Sequence, residues 1–265
     1  MQSNTDVLES LPADQRFAGR TAVVTGSTSG IGEAVARVLA ASGATVVVSG
    51  RDRTRADAVV STISRNGGQA VAVPADLDGS YADLRAFAAD ATAALGGRVD
   101  VLVNNAGVYP VGATEGLADV DLDTLLAVNV RAPHVLVGAV APAMAERGAG
   151  VVINIGSWMA RVGSPFGAMY TATKAALEQL TRAWSAEYGP RGVRVNTVAP
   201  GATATPGNAE AADILAEMTR STVAGRPVRP VDIAFAVRYL AGDEAAYVHG
   251  TTLDVDGGLL AARLS

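Results

Sequence analysis

The 265-residue chain has no cysteine. That excludes disulfides, thiolate metal sites, iron–sulfur clusters and a cysteine nucleophile. Histidine occurs only twice, as His134 and His249, so a three-histidine zinc site is impossible. A Ser-His-Asp triad would have to use one of those two, and no G-x-S-x-G elbow is present to serve it. Aromatic residues make up only 5%, so a core must be built from Ala, Val and Leu. Charge of one sign is also scarce. The chain carries 21 Lys and Arg against 26 Asp and Glu, net −5, with no basic block. Nucleic acid and anionic membrane surfaces are poor partners for such a chain. No uninterrupted apolar run approaches the roughly 18 residues that span a bilayer. The N-terminus, MQSNTDVLESLPADQRFAGR, has early acids and no apolar h-region, which argues against a secretory signal and for a cytoplasmic protein.

What is abundant is aliphatic residues and glycine: 49% hydrophobic, with 29 Gly. Short β-branched runs at 21–25, 45–49, 70–73, 99–103, 151–155, 193–198 and 252–255 are almost continuously apolar, the mark of strands buried on both faces. Ala-rich helical stretches lie between them. Ile31, Val35, Val38 and Leu39 share one helix face, with Gly43 at its end, and 84–95, 122–144, 172–188 and 233–240 also read as helices. Strict alternation of this kind predicts a doubly wound α/β fold with helices on both faces of a parallel sheet. No repeat or linker divides the chain. Residues 1–16 read as a polar extension, 17–265 as a single domain, and 205–230 as an excursion that serves as a lid.

The first strand runs into Gly26-Ser27-Thr28-Ser29-Gly30-Ile31-Gly32 and then a helix. Glycines there permit a tight turn and close approach to a pyrophosphate, which the free N–H groups of a helix start would receive. The end of the second strand should meet the adenosine ribose. Its residues Gly50-Arg51-Asp52 leave two readings open. Arg51 pairs with a 2′-phosphate, favouring NADP(H), or it is solvated and Asp52 takes the ribose of NAD(H).

Tyr170 and Lys174 are four positions apart on a helix and share a face. A phenol with pKa of about 10 is a poor acid at neutral pH, and a neighbouring ammonium lowers that value. Ser157 follows a strand end, where a hydroxyl can reach a carbonyl, and Asn104-Asn105-Ala106-Gly107 follows another. Asn129 lies among apolar residues in a helix and needs a hydrogen-bond partner there.

In this order and spacing, Thr25-Gly26-x-x-x-Gly30-x-Gly32, Asn104-Asn105-Ala106-Gly107, Asn129, Ser157, Tyr170-x-x-x-Lys174 and Pro200-Gly201 resemble the short-chain dehydrogenase/reductase family over residues 19–258, including its 3-oxoacyl-ACP reductase-like and ketoreductase members. The resemblance implies a Rossmann-type, seven-stranded parallel sheet and a homotetramer. It implies Tyr170 as acid/base, Ser157 orienting the carbonyl, Asn129 anchoring a water in a proton relay, and Lys174 holding the nicotinamide ribose while depressing the Tyr170 pKa. For the coenzyme it implies Gly26, Ser29, Gly30, Ile31, Gly32, Arg51, Asp76, Leu77, Asn104, Ala106, Gly107, Pro200, Gly201, Thr203 and Thr205, together with Tyr170 and Lys174. His249 stands where the family commonly has Thr and is read, like His134, as structural.

Residues placed to meet a substrate are Tyr109, Pro110, Trp158, Met159, Phe166 and the 205–222 part of the lid, which suit an apolar carbonyl compound. Arg161 is the nearest cation for a carboxylate or a phosphopantetheine. No metal is required. The leading expectation is an NADP(H)-dependent oxidoreductase that interconverts a ketone or 3-oxoacyl compound and its secondary alcohol. The alternatives are an NAD-dependent alcohol or polyol dehydrogenase, and a non-catalytic nicotinamide-binding regulatory protein.

Overall fold

In the computed structural model, which describes residues 3–262, all seven apolar runs are strands. Residues 1–2 of the expected extension and 263–265 of the expected domain lie outside the described residues. The strands are β1 (Thr21–Val24), β2 (Thr45–Val48), β3 (Gln69–Ala72), β4 (Val101–Asn104), β5 (Gly150–Ile155), β6 (Val193–Pro200) and β7 (Thr252–Val255). They form one parallel sheet in the order β3-β2-β1-β4-β5-β6-β7. The chain winds outward from β1 in one direction and from β4 in the other, so a crevice opens between their C-terminal ends.

Successive strand residues face opposite ways, and both faces are dry. Val24, Val46, Val103, Ile153 and Val198 pack on α2 (Gly30–Ala41), α3 (Arg53–Arg65) and α9 (Pro230–Ala241). Val23, Val47, Leu102, Val152 and Val195 pack on α4 (Tyr81–Ala94), α6 (Ala132–Glu146) and α7 (Ala168–Tyr188). Two helices were not foreseen. The buried face of α3 is only Ala56, Val59 and Ile63 among charged residues. The short α1 (Asn4–Glu9), with a Ser3 capping box, stands where a polar extension was expected. Its Leu8 is buried, Phe17 is fully buried, and Asn4 Oδ1 accepts a hydrogen bond from the Val231 N–H at 2.9 Å. This segment therefore lies against the body of the molecule.

The expected helix 122–144 is α5 (Asp119–Leu126), a π-turn over Ala127–Arg131, and α6. Asn129 sits in the π-turn, the kind of helix irregularity often found at functional sites. The whole stretch Asp119–Glu146 is long and apolar enough to cross a membrane, but 61% of its apolar window is buried inside the molecule, the setting of a core helix.

One buried polar row crosses the apolar interior. Asn104 Nδ2 donates to Asn154 Oδ1 at 2.8 Å, and Asn154 Nδ2 donates to Thr181 Oγ1 at 2.7 Å. Thr181 and Thr197 share a further hydrogen bond of 2.7 Å. Asn104 Oδ1 is left without a partner.

Candidate active site

The glycine turn is built by mutual contact of backbones. Gly26 has φ +61°, and a Cβ on it would sit 2.9 Å from Ala106 Cα. A Cβ on Gly32 would sit 2.3 Å from Gly26 O and 2.4 Å from Asn105 Nδ2. Asn105 explains this crowding: its Nδ2 donates to the carbonyls of Thr25 (2.8 Å) and Gly26 (3.0 Å). Thr25 Oγ1 in turn accepts from the N–H groups of Asn105 and Ala106, both at 3.0 Å. The turn is thus stapled to the end of β4. Ser29 N-caps α2 without a side-chain hydrogen bond, so the first-turn N–H groups of α2 keep their donors for a ligand. A narrow cradle floored by glycine, at an uncapped helix start, fits a dinucleotide pyrophosphate.

Two adjoining clefts meet at this turn. The first, of about 320 Å³, is lined by Gly26, Ser29, Arg51, Asp76, Leu77, Ala106 and Gly107. These are expected coenzyme residues, and Thr28, Asn105, Asp78 and Thr124 join them. Arg51 is exposed and has no protein partner among the described residues. Asp52 is committed elsewhere, because its carboxylate caps α3 by accepting from the Arg55 N–H at 3.0 Å.

The second cleft, of about 340 Å³, gathers Ile31, Gly107, Ser157, Tyr170, Lys174, Pro200, Gly201, Thr203 and Thr205. Tyr109, Trp158, Met159, Asn208, Leu215 and Met218 also line it. Asn105, Gly107 and Val108 border both clefts, so a ligand extended across the turn passes from one into the other. Gly30 closes the turn from below, where its Cβ position lies 3.5 Å from Thr205.

Tyr170 lies in the first turn of α7 and lines the same cleft as Ser157. Ser157 Oγ accepts from the Met159 N–H at 3.2 Å, which leaves its proton free to donate. Lys174 is buried, and its Nζ donates to Ile155 O at 2.9 Å. Burial pushes the ammonium down to about 8. The expected depression of the Tyr170 pKa is absent. Burial is the largest influence on the phenol and pushes it up, against the opposing influence of the nearby Ser157 hydroxyl. The Lys174 ammonium, 5.9 Å from the ring centroid, is directed at a carbonyl rather than at the phenol oxygen.

Three expected site residues are placed differently. The Asn104 side chain is turned into the buried polar row, and its neighbour Asn105 is the amide that reaches both clefts. Phe166 is 64% exposed and lines neither cleft. Pro110 lines neither cleft but an adjoining hollow, with Leu117, Leu122 and Tyr170. Asn129 borders neither cleft but stands directly behind one. Its Oδ1 accepts from the Val108 N–H at 2.9 Å, and its Nδ2 donates to Val108 O (2.9 Å) and Thr173 Oγ1 (3.1 Å). It clamps the loop after β4 to α7. A Cβ on Gly107 would lie 3.3 Å from Lys174 Nζ and 3.4 Å from Asn129 Oδ1, so the three groups converge. Arg161 does not face the cavity as a free cation; Asp254 and Glu178 hold it.

A phosphate cradle that opens directly onto a tyrosine cleft is the arrangement of a nicotinamide-dependent oxidoreductase. Comparison with known proteins narrows this class: the chain belongs to the short chain dehydrogenase family, which it matches over residues 20–214. It is similar to a 2,5-dichloro-2,5-cyclohexadiene-1,4-diol dehydrogenase of Sphingobium indicum, 36% identical over 244 residues, covering 92% of this chain and 97% of that one. A cyclopentanol dehydrogenase of Comamonas sp. is 33% identical over 249 residues, covering 93% and 99%. Among solved structures, a blue fluorescent protein from a metagenomic library, in complex with NADPH, is 36% identical with a TM-score of 0.87, covering 93% of this chain and 100% of that one.

Proposed function

We propose that this enzyme interconverts a neutral ketone and its secondary alcohol with NADP(H). The observation that carries the reading is the convergence of Ser157, Tyr170 and Lys174 on one cavity that opens from the phosphate cradle. When bound, the coenzyme supplies hydride for reduction and accepts it in oxidation. The chain's residues do the rest. Ser157, with its oxygen held by the Met159 N–H, donates its proton in a hydrogen bond to the carbonyl oxygen. Tyr170 gives its proton to that oxygen as negative charge develops there, and takes it back in the oxidation direction. Lys174, anchored by its bond to Ile155 O, would hold the nicotinamide ribose and brings a positive charge to the cavity wall. Asn129 keeps Val108 and Thr173 in place around that ammonium.

Preference for NADP(H) over NAD(H) rests on Arg51, unpartnered at the adenosine cleft, and on Asp52, whose carboxylate is spent on the α3 cap. The NADPH complex of the metagenomic relative supports the same choice. For the substrate, Trp158, Met159, Leu215 and Met218 make an apolar wall without a free cation, which favours a ketone over an anionic 3-oxoacyl carrier. Two relatives named for alicyclic alcohols make cyclic ketones and alcohols the first compounds to test. We read residues 17–265 as one catalytic domain, with 205–230 as a lid that carries α8 (Ala212–Arg220) over the cavity. We read the assembly as a homotetramer paired through α5, α6 and α7, where Val120 and Leu126 are exposed.

Tyr170→Phe is the direct test. It removes the proton donor and keeps the ring, so kcat should fall by about 10²–10⁴ while NADPH binding stays near normal. A variant that keeps its turnover would overturn the part given to Tyr170.

A further inference from the structure

We propose that Arg161 is a positioning residue for the reaction: it clamps the turn carrying Ser157, Trp158 and Met159 to β7 and α7, and so sets the serine against the tyrosine. The inference rests on the functional reading above.

The segment Trp158–Arg161 is a single 3₁₀ turn with Ser157 as its N-cap. The Met159 N–H is the group that orients Ser157 Oγ, and the Ala160 N–H donates to Ser157 O at 3.0 Å. Ser157 therefore points where this turn points. The near end of the turn is covalently fixed to β5. Among the described residues, Arg161 is the side chain of the turn that forms hydrogen bonds and ion pairs to other elements. Arg161 Nη1 donates to Asp254 Oδ2 at 2.9 Å, and Nη2 meets Oδ1 of the same carboxylate. Such a fork fixes both distance and plane, as a single ammonium would not. On its other edge, Arg161 Nε lies 3.7 Å from Glu178 Oε1.

The two carboxylates come from different elements. Asp254 belongs to β7. Glu178 belongs to α7, one helical turn beyond Lys174 and two beyond Tyr170. The guanidinium thus ties the serine-bearing turn to the helix that carries the tyrosine. Glu178 is buried, and its Oε1 has no hydrogen-bond partner. A Cβ on Gly156 would lie 3.5 Å from that oxygen, so the carboxylate sits directly behind the strand end preceding Ser157. Burial pushes the Glu178 carboxyl up, and Arg161 is the foremost charge that opposes this. An uncompensated carboxylate at that point would disturb the floor of the site. Arg161 itself does not line the cavity, so its action on substrate passes through the turn.

The test uses the full chain in a Trp184→Phe background, which leaves Trp158, on the turn itself, as the only tryptophan. Arg161→Met, Asp254→Asn and their combination are compared by acrylamide quenching of Trp158, by NADPH titration and by turnover of cyclopentanone. We expect quenching to rise at least about twofold in each single variant, kcat to fall about tenfold, and the NADPH Kd to stay within about twofold. The double variant should lose no more than either single, because both remove one clamp. Glu178→Gln, nearly isosteric, should give a smaller loss of the same kind, and with Asp254→Asn it decides the matter should Arg161→Met not fold. Unchanged quenching and kcat in folded variants would overturn the proposal. So would losses that multiply in the double variant, or a parallel collapse of NADPH affinity. If the parent turned over no ketone while Trp158 still responded to these substitutions, the clamp would stand and the functional reading would fall.

Discussion

Arg51 offers the sharpest test of the coenzyme reading. The side chain stands exposed at the adenosine cleft with no protein partner among the described residues, so its removal should leave the fold intact. A hydrogen bond to a charged group contributes about 1.5–3 kcal/mol, and exposure places this one at the low end. At about 1.5–2 kcal/mol, Arg51→Leu should lower kcat/KM for NADPH by roughly 10- to 30-fold and change that for NADH by less than about twofold. The loss should shrink as salt is raised, because an exposed ion pair is screened. The converse design needs two changes. A Cβ at Gly50 would lie only 2.7 Å from Thr28 Cγ2, so Gly50→Asp alone drives its own Cβ into the threonine methyl. Gly50→Asp with Thr28→Ser removes that methyl and should turn preference towards NADH. The assay is the ratio of kcat/KM for the two coenzymes at low ionic strength. A ratio within about twofold of the parent in Arg51→Leu would refute the argument.

Three further outcomes follow from the site and its surroundings. Lys174 titrates at about 8 in the folded coenzyme-free protein against 10.5 when unfolded, so between those values the unfolded chain binds more protons and stability rises with pH, by about 3 kcal/mol in all. Lys174→Met should flatten that rise in the pH dependence of Tm, and an unaltered slope would count against the buried ammonium. Gly32→Ala places a methyl 2.3 Å from Gly26 O and should cost at least roughly 4 kcal/mol or abolish coenzyme binding; a parental Tm and NADPH Kd would contradict the cradle geometry. Light scattering should report a tetramer, and a monomeric mass would remove the proposed pairing through α5, α6 and α7.

Much of the fold was legible because parallel strands buried on both faces are continuously apolar, and that pattern needs no knowledge of tertiary contacts. The helix α3 was not, because three buried residues among many charges do not make a visible stripe. The N-terminal segment hid its anchoring for a similar reason: Val7, Leu8 and Leu11 are few among polar and charged residues, and only the docked structure shows Leu8 buried with Val7 and Leu11 packed beside it. At the site, Ser157, Tyr170 and Lys174, which spacing singles out, line one cleft. Spacing does not resolve which of two adjacent asparagines borders the clefts, since neighbouring strand-end residues face opposite sides and one residue decides between cleft and core. Phe166 was drawn in by its four-residue distance from Tyr170, but it precedes the helix start at Ala168, where helical spacing does not apply. The commitment of Arg161 depends on Asp254, 93 residues away, which no local pattern announces.

The buried polar row also bears on how the strands find one another. Val-rich parallel strands are nearly interchangeable: sliding β5 by one residue against its neighbours would still bury Val against Val. Asn104 lies level with Asn154, and Asn154 with Thr197, so the amides and hydroxyl meet only in the native alignment. A one-residue slip would carry Asn154 to the opposite face, among the aliphatic side chains under α2 and α9, and strand its amide at a cost of about 1–3 kcal/mol for each lost partner. The row acts as an address in an otherwise repetitive interior. It selects one alignment of the central strands and thereby brings the ends of β4 and β5, with the asparagine staple and the serine turn that follow them, to the same level beneath the ligand.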